Sequence, residues 1–264
     1  MQLSLFEEAP LKSERVQEYL AWLRRKKFDA RRRLYETDES YSRRILIAAY
    51  AFGVDYQSSR WSSLEDWAEV CPVGPENRLP LDKRRLTPHS CSFLKMEDII
   101  PDDWLVPAKL STVQAQTLPS RATYKPVEGD ILLSRFKEPL GKCVLYQGHI
   151  SPLYVSNNYF LLRPKPHISP PLLLALLKSP FLAVQLHRLI RCRSLITEMF
   201  IRETPNIRLP DLPPELRQEI TGYAVERIHM ESEYKSLSCK PETIRKMNEM
   251  EFAVAASILN FVTE

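Results

Sequence analysis

Proline placement restricts the fold of this chain more than any other sequence feature. Between Trp61 and Pro210 the apolar stretches are short, prolines are frequent, and turn sequences such as Pro72-Val73-Gly74-Pro75 and Glu128-Gly129-Asp130 interrupt the chain. Proline removes a backbone donor and disfavours helix in the residue before it, so this stretch favours strands and loops. On either side of it, apolar residues recur at helical spacing. The sequence therefore predicts an α+β fold, a β-rich domain flanked by N-terminal and C-terminal helices.

The same pattern divides the chain into four predicted regions. We expect a flexible N-terminal peptide at residues 1–10, an N-terminal helical region at 11–56, the β-rich domain at 57–212, and a C-terminal helical spacer or dimerisation region at 213–264. In the second region, two helices are predicted over about residues 13–36 and 39–52.

Within the β-rich domain, short apolar runs of strand length identify individual elements. Strands are predicted at Asp130–Ser134, Lys142–Tyr146 and Tyr159–Arg163. One helix is expected to interrupt them, over Pro171–Lys178 and then Phe181–Ile190. After it, the helical pattern resumes behind two prolines and continues, with one break, to the last residues.

Composition indicates the compartment in which the chain works. The 264 residues are 44% hydrophobic, enough to bury a core, and the five cysteines are scattered and never form a C-x-x-C pair. The sequence shows no signal peptide and no apolar run of 18 residues. These features predict a reduced, soluble, cytoplasmic protein.

The net positive charge is small, but the cations are concentrated in two parts of the chain. The formal net charge is only +4, but residues 120–210 hold thirteen Lys and Arg residues against five Asp and Glu residues. Residues 24–33 hold seven more cations and a single aspartate. Each concentration is compatible with an ordinary solvated surface or with contact to phosphate, and the second also with an acidic partner helix.

Four phrases, in a fixed order, carry a resemblance to a known family. They are Trp67–Gly74 with Ser92–Ile99, Glu128–Arg135 with Leu140-Gly141-Lys142, Ser156–Pro164 with Pro171–Ser179, and Ser194–Thr197 with Leu209–Ile220. Together they resemble the target-recognition domain of the DNA specificity subunits of type I restriction–modification systems. In that family the first phrase leads to a strand that ends in Met-Glu-Asp-Ile, and the last launches a long spacer helix.

The chain also departs from the family pattern. A full specificity subunit carries two recognition domains separated by long antiparallel helices, whereas this chain carries one domain between helical ends. It therefore resembles a half-subunit, and its helical ends would pair two copies at a fixed separation as a homodimer. The family's glycine-serine tract reads Arg191-Cys192-Arg193-Ser194 here, so no role of that glycine in loop shape is carried over.

The resemblance implies sequence-specific recognition of double-stranded DNA for a restriction–modification or related phage-defence complex. An adenine-N6 methyltransferase subunit, with or without a restriction or translocase subunit, would supply the catalysis. The chain has no Asn/Asp-Pro-Pro-aromatic methylase motif, no glycine-rich loop and no histidine ligand spacing. No catalytic residue, cofactor or metal is therefore expected. The alternative is a non-catalytic adaptor or scaffold that links proteins; a stand-alone nuclease or methyltransferase ranks third.

Candidate DNA contacts follow from which cations flank the turns. For phosphates, the candidates are Arg121, Lys125, Arg135, Lys137 and Lys142. For bases, the candidates are two short runs, Lys83, Arg84 and Arg85, and Arg191, Arg193 and Ser194. The alternative for each of them is an ordinary loop residue that makes no contact with DNA. Asn157 and Asn158 have the chemistry to pair with adenine, but in the family pattern they stand at the entry to a strand, which favours local turn bonding, so they are not counted among the candidates.

A separate signal lies at the N-terminus. Gln2-Leu3-Ser4-Leu5-Phe6 matches the short peptide by which many bacterial proteins bind the DNA-polymerase sliding clamp. Apolar anchors on a flexible tail suit a preformed pocket. The same residues would also suit folding onto this chain or onto a partner subunit, so both alternatives stay open.

Overall fold

A computed structural model describes the greater part of the chain after residue 50. The described residues are 51, 54–71, 78–80, 82–99, 103–135, 142–191, 201–234 and 241–263. The predicted N-terminal peptide and the two predicted N-terminal helices lie outside them, except for Ala51, which is helical.

The described residues form ten strands and five α-helices. The strands are β1 Trp61–Ser63, β2 Ala68–Val70, β3 Ser90–Leu94, β4 Thr112–Gln114, β5 Ala122–Tyr124, β6 Ile131–Ser134, β7 Cys143–Leu145, β8 Leu153–Ser156, β9 Tyr159–Pro164 and β10 Arg208–Pro210. The helices are α1 Leu64–Trp67, α2 Pro170–Lys178, α3 Pro180–Arg191, α4 Pro214–Tyr234 and α5 Pro241–Thr263. The α+β fold class expected from the sequence is confirmed.

Two four-stranded sheets form the body of the domain. Sheet I has the order β2-β9-β6-β7 and is antiparallel throughout. Sheet II has the order β4-β3-β8-β5, in which β3 and β8 are parallel. A separate antiparallel pair, β1 with β10, sets Trp61 opposite Pro210 and so closes the β-rich stretch on itself.

The core is built where sheet I meets α2. All four residues of β6 are buried, as expected for a central strand with neighbours on both sides. The apolar run Leu172–Leu177 of α2 is also buried on every face of the helix. A smaller cluster around Phe93 and Tyr154 lies on sheet II.

An ion pair between a buried carboxylate and a half-buried arginine sets the start of β6. The Asp130 carboxylate, 1% exposed, accepts hydrogen bonds from the Arg163 guanidinium at 2.9 and 3.0 Å and from the Val127 N–H at 2.8 Å. Gly129 has a φ of +89°, a conformation that favours glycine. The Gly-Asp phrase of the sequence is thus a turn whose carboxylate joins β6 to β9.

Two predicted elements differ from those observed. The single helix expected over Pro171–Lys178 and then Phe181–Ile190 is two separate helices, because Ser179 is extended (φ −67°, ψ 154°) ahead of Pro180. The strand expected to end in Met-Glu-Asp-Ile ends at Leu94, and Met96–Asp98 forms a 3-10 turn. There the Asp98 carboxylate accepts from the Lys95 N–H at 2.8 Å, which ends the extended chain.

The C-terminal helices pack together and against the β-rich domain. Arg227 of α4 meets Glu251 of α5. At the other end of the pair, the Arg60 guanidinium donates to the Phe261 carbonyl at 2.6 Å, and the Arg60 carbonyl accepts from the Asp211 N–H at 2.8 Å. The two helices therefore form an antiparallel hairpin tied to the domain beside β1.

A buried polar group, the docking cluster of Trp104, Arg227, Glu231 and Glu251, attaches the hairpin. The Glu231 carboxylate, 3% exposed, accepts from the backbone N–H groups of Trp104 at 3.0 Å and Leu105 at 3.1 Å and from Arg227 at 2.7 Å. The Trp104 indole N–H donates to Glu251 at 3.0 Å. Helix α4 is therefore held to the domain by directional bonds as well as by apolar contact.

Candidate nucleic-acid interface

The chain passes from sheet II to sheet I through a two-residue turn, Asn157-Asn158, which we call the crossing turn. It connects β8 to β9. Its backbone is bonded to both sheets: the Asn157 N–H donates to the Arg121 carbonyl at 2.8 Å beside β5, and the Asn158 carbonyl accepts from the Arg135 N–H at 2.9 Å after β6. The turn thus brings together two arginines from different sheets.

Arg135 is held in place by two further contacts. Its guanidinium donates to the Asn157 carbonyl at 2.8 Å and lies 5.2 Å from the centre of the Phe160 ring. Stacking on an aromatic face is a favourable position for a guanidinium, which keeps its charge there and still has N–H groups to offer. Arg135 is accordingly a positioned cation rather than a freely rotating one.

Two more cations lie around Tyr124 at the end of β5. Arg78 pairs with Tyr124 through a backbone bridge, and Lys125 follows it directly. Burial and a hydrogen bond with Cys71 raise the pKa of Tyr124, while the charges of Arg78 and Arg135 act to lower it. Both guanidinium groups are therefore close to the same phenol. We call Arg78, Arg121, Lys125 and Arg135 the basic cluster.

Three of the four cations in the basic cluster have charges that are available to a ligand. Arg78, Arg121 and Lys125 are exposed. Within the part of the chain that the structure describes, no carboxylate forms an ion pair with any of these three side chains. Clustered cations without neutralising partners produce the positive potential that attracts phosphate.

The other predicted contact residues take different positions. Lys83 and Lys142 are each only 8% exposed, and their ammonium groups donate to the carbonyls of Pro80 at 2.8 Å and Met96 at 2.7 Å. Burial lowers the pKa of Lys83. Both ammonium groups therefore hold loops of this chain together.

The rest of the predicted set is partly described. Arg84 and Arg85 are exposed on a 3-10 turn, and Arg85 lies 3.4 Å from the Asp82 carboxylate. Lys137, Arg193, Ser194, the side chain of Arg191 and the peptide Gln2, Leu3, Ser4, Leu5 and Phe6 lie outside the described residues. Among the residues described, no group of three or more His, Cys, Asp or Glu side chains is placed to hold a metal ion, and no helix has the length and apolarity to cross a membrane.

Comparison with known proteins assigns the fold. No family model and no curated protein matches the sequence. Among solved structures, the chain is similar to a chain from a study of complex assembly and conformational transition of the type I restriction–modification system, with a TM-score of 0.53 and 19% identity over 66% of this chain and 43% of that one. Over the aligned part, the fold of this chain is similar to the fold of that chain. The resemblance found in the sequence is thus matched in three dimensions.

A second solved structure also matches over part of its length. The HsdS subunit from Thermoanaerobacter tengcongensis has a TM-score of 0.41 and 15% identity, over 93% of this chain and 55% of that one. The chain therefore spans about half the length of the solved chains that it matches.

Sequence reasoning missed one member of the basic cluster. Arg78 is an isolated cation in a proline-flanked segment, and nothing in its local sequence distinguishes it. Only the pairing of this segment with β5, seen also in the Leu79 N–H bond to the Thr123 carbonyl at 2.9 Å, brings Arg78 beside Arg135.

Proposed function

We propose that this chain recognises the sequence of double-stranded DNA for a restriction–modification or related phage-defence complex. The observation that carries the proposal is the basic cluster, in which cations from separate segments lie at the crossing turn and around Tyr124. The chain would direct an adenine-N6 methyltransferase subunit, a nuclease subunit or both, and would itself catalyse nothing. The fold similarity to a type I restriction–modification chain supports this assignment.

The basic cluster suits the first task of such a domain, which is to bind the phosphate backbone. Lys and Arg provide most of that affinity, and the release of condensed counterions makes it depend on salt. Arg78, Arg121, Lys125 and Arg135 form the proposed phosphate contacts, and Arg84 and Arg85 form a second exposed basic site. We leave out Lys83 and Lys142 because their ammonium groups are buried and bonded to carbonyls.

The hairpin of α4 and α5 is the proposed attachment for partner subunits and for a second copy of the chain. The docking cluster fixes the hairpin on the domain, so a protein bound to the hairpin would have a set orientation relative to the DNA. Analytical ultracentrifugation of the full chain, alone and with the methyltransferase, would separate a homodimer from a one-to-one complex. The N-terminal peptide remains a proposed site for the sliding clamp, testable by binding of Phe6→Ala.

The decisive experiment is selection from a randomised duplex pool. The full chain, with and without its methyltransferase, is incubated with the pool at two salt concentrations, and the retained DNA is sequenced. A short enriched motif is the expected result, and an adaptor without sequence reading would retain DNA weakly and without a motif.

Matched charge variants test the basic cluster itself. Arg121→Gln should lower the affinity for all duplexes, and the slope of log K against log salt should become shallower by about 0.9 for each phosphate that is no longer neutralised. Lys246→Gln, an equal charge change at an exposed residue of α5, should leave both quantities unchanged. Equal effects of the two variants would show that net charge, and not this cluster, governs binding.

A further inference from the structure

The crossing turn holds a side chain that the fold itself does not use. Asn157 is exposed, and among the described residues its side-chain amide makes no hydrogen bond, although its backbone N–H and carbonyl are both bonded. The bond from a side chain to the backbone in this turn comes from another residue, since the Ser156 hydroxyl accepts from the Asn158 N–H at 3.1 Å.

The two usual reasons for asparagine in a turn do not apply to Asn157. Asparagine is favoured where φ is positive and where its side chain bonds to the backbone two residues on. Among the described residues other than glycine, the residue with positive φ is Cys71, and the turn bond is made by Ser156. By contrast, the amide of Gln116 is used in the fold, because it donates to the Leu86 carbonyl at 3.1 Å.

The backbone of Asn157 is nevertheless held on both sides. Its N–H donates to the Arg121 carbonyl and its carbonyl accepts from the Arg135 guanidinium, each at 2.8 Å. A polar side chain that extends from a fixed backbone loses little freedom on binding. Arg121 and Arg135, which are bonded to its backbone, would anchor the neighbouring phosphates and so set how deeply this side chain enters a groove.

We propose that Asn157 reads an adenine in the major groove of the recognised DNA. An amide carries a donor and an acceptor side by side, which matches the N7 acceptor and N6 donor of adenine. The inference rests on the proposed function and adds to it one specificity-determining residue. Asn157 sets the preference for one base pair, and the basic cluster sets the affinity for any duplex.

The test compares the motifs selected by the full chain and by two variants. Asn157→Ala removes the amide, and Asn157→Asp keeps the shape but removes the donor. Both should lose the preference for adenine at one position, with binding to the preferred duplex weakened roughly 5- to 150-fold and binding to unrelated duplexes unchanged for Asn157→Ala. Gln147→Ala, which removes an exposed amide from the segment after β7, should select the original motif.

Each remaining outcome is distinguishable. If the unaltered chain selects no motif, the proposed function and this inference both fail. If it selects a motif and Asn157→Ala selects the same motif with the same affinity, only the inference is overturned. If Asn157→Ala lowers the thermal unfolding temperature and keeps the motif, the amide has a structural role and the inference is likewise overturned.

Discussion

Replacing the buried carboxylate of Glu231 by an amide tests how the helical hairpin is attached. Glu231 and Arg227 are 3% and 4% exposed, and the carboxylate accepts from Arg227 at 2.7 Å and from two backbone N–H groups. In Glu231→Gln the carbonyl oxygen keeps the backbone N–H groups as donors, but the NH₂ group cannot accept from Arg227. The guanidinium then retains the Glu251 carboxylate at 3.4 Å.

The expected loss of stability follows from that arrangement. Removing one partner of a buried ion pair costs about 3–5 kcal/mol, since the remaining charge is left without full compensation. Because Glu251 still lies near Arg227, we expect the lower end, about 3 kcal/mol. For a chain of this size, that corresponds to a fall in Tm of roughly 6–12 °C.

Urea unfolding followed by tryptophan fluorescence is a suitable assay because Trp104 belongs to the docking cluster. Glu219→Gln is the control, since Glu219 is an exposed carboxylate on the same helix. Its substitution should change the free energy of unfolding by less than about 0.5 kcal/mol. If the two variants prove equally stable, the docking cluster does not hold the hairpin and our interpretation of it is refuted.

Three further substitutions should change the stability of the fold in a direction that the structure indicates. Burial raises the pKa of the Cys143 thiol to about 12 from 9.0; the unfolded thiol therefore ionises first, and stability should fall from about pH 9 towards pH 12, by at most about 1.4 kcal/mol per pH unit. Cys143→Ala should show a smaller loss between pH 8.5 and 10 in urea unfolding, and an equal loss would contradict the assignment. Gly148→Ala should destabilise by about 1 kcal/mol because Gly148 has a φ of +73° and an added Cβ would lie 3.1 Å from the Glu128 carboxylate. Gly222→Ala should instead stabilise by about 0.5–1 kcal/mol, since its Cβ would meet nothing within 4 Å in the middle of α4; thermal unfolding of the two alanine variants should show opposite shifts, and shifts of the same sign would refute this interpretation of the glycines.

Elements with a strong local pattern were predictable. The apolar runs that became β6, β7 and β9 were identified as strands, and the helix after Pro213 was placed correctly. The exceptions were set by local effects that apolar periodicity alone does not show. Ser179 is extended because of the proline that follows it, and the Asp98 carboxylate bonds back to the Lys95 N–H.

The candidate interface was predictable only in part. The sequence offers its candidate cations because they flank turns, and the structure places those cations in different surroundings. Lys142 flanks a turn as Arg135 does, yet its ammonium group is buried against the Met96 carbonyl, a partner 46 residues away. Sequence position alone does not distinguish Lys142 from Arg135. The carbonyl that accepts from Lys142 belongs to a distant segment, so the bond cannot be foreseen from neighbouring residues.

The sequence by itself determined the order of helices and strands, the α+β class and the resemblance to type I specificity subunits. Apolar periodicity, proline positions and short sequence phrases each involve only a few neighbouring residues, so they can be recognised without coordinates. The tertiary structure decided which cations share a surface. Arg121, before β5, and Arg135, after β6, are joined to the crossing turn by backbone bonds, and Arg78 is joined to β5 by its backbone bridge to Tyr124. Those bonds connect residues far apart in the chain, and only folding brings their charges and the Asn157 amide to one place.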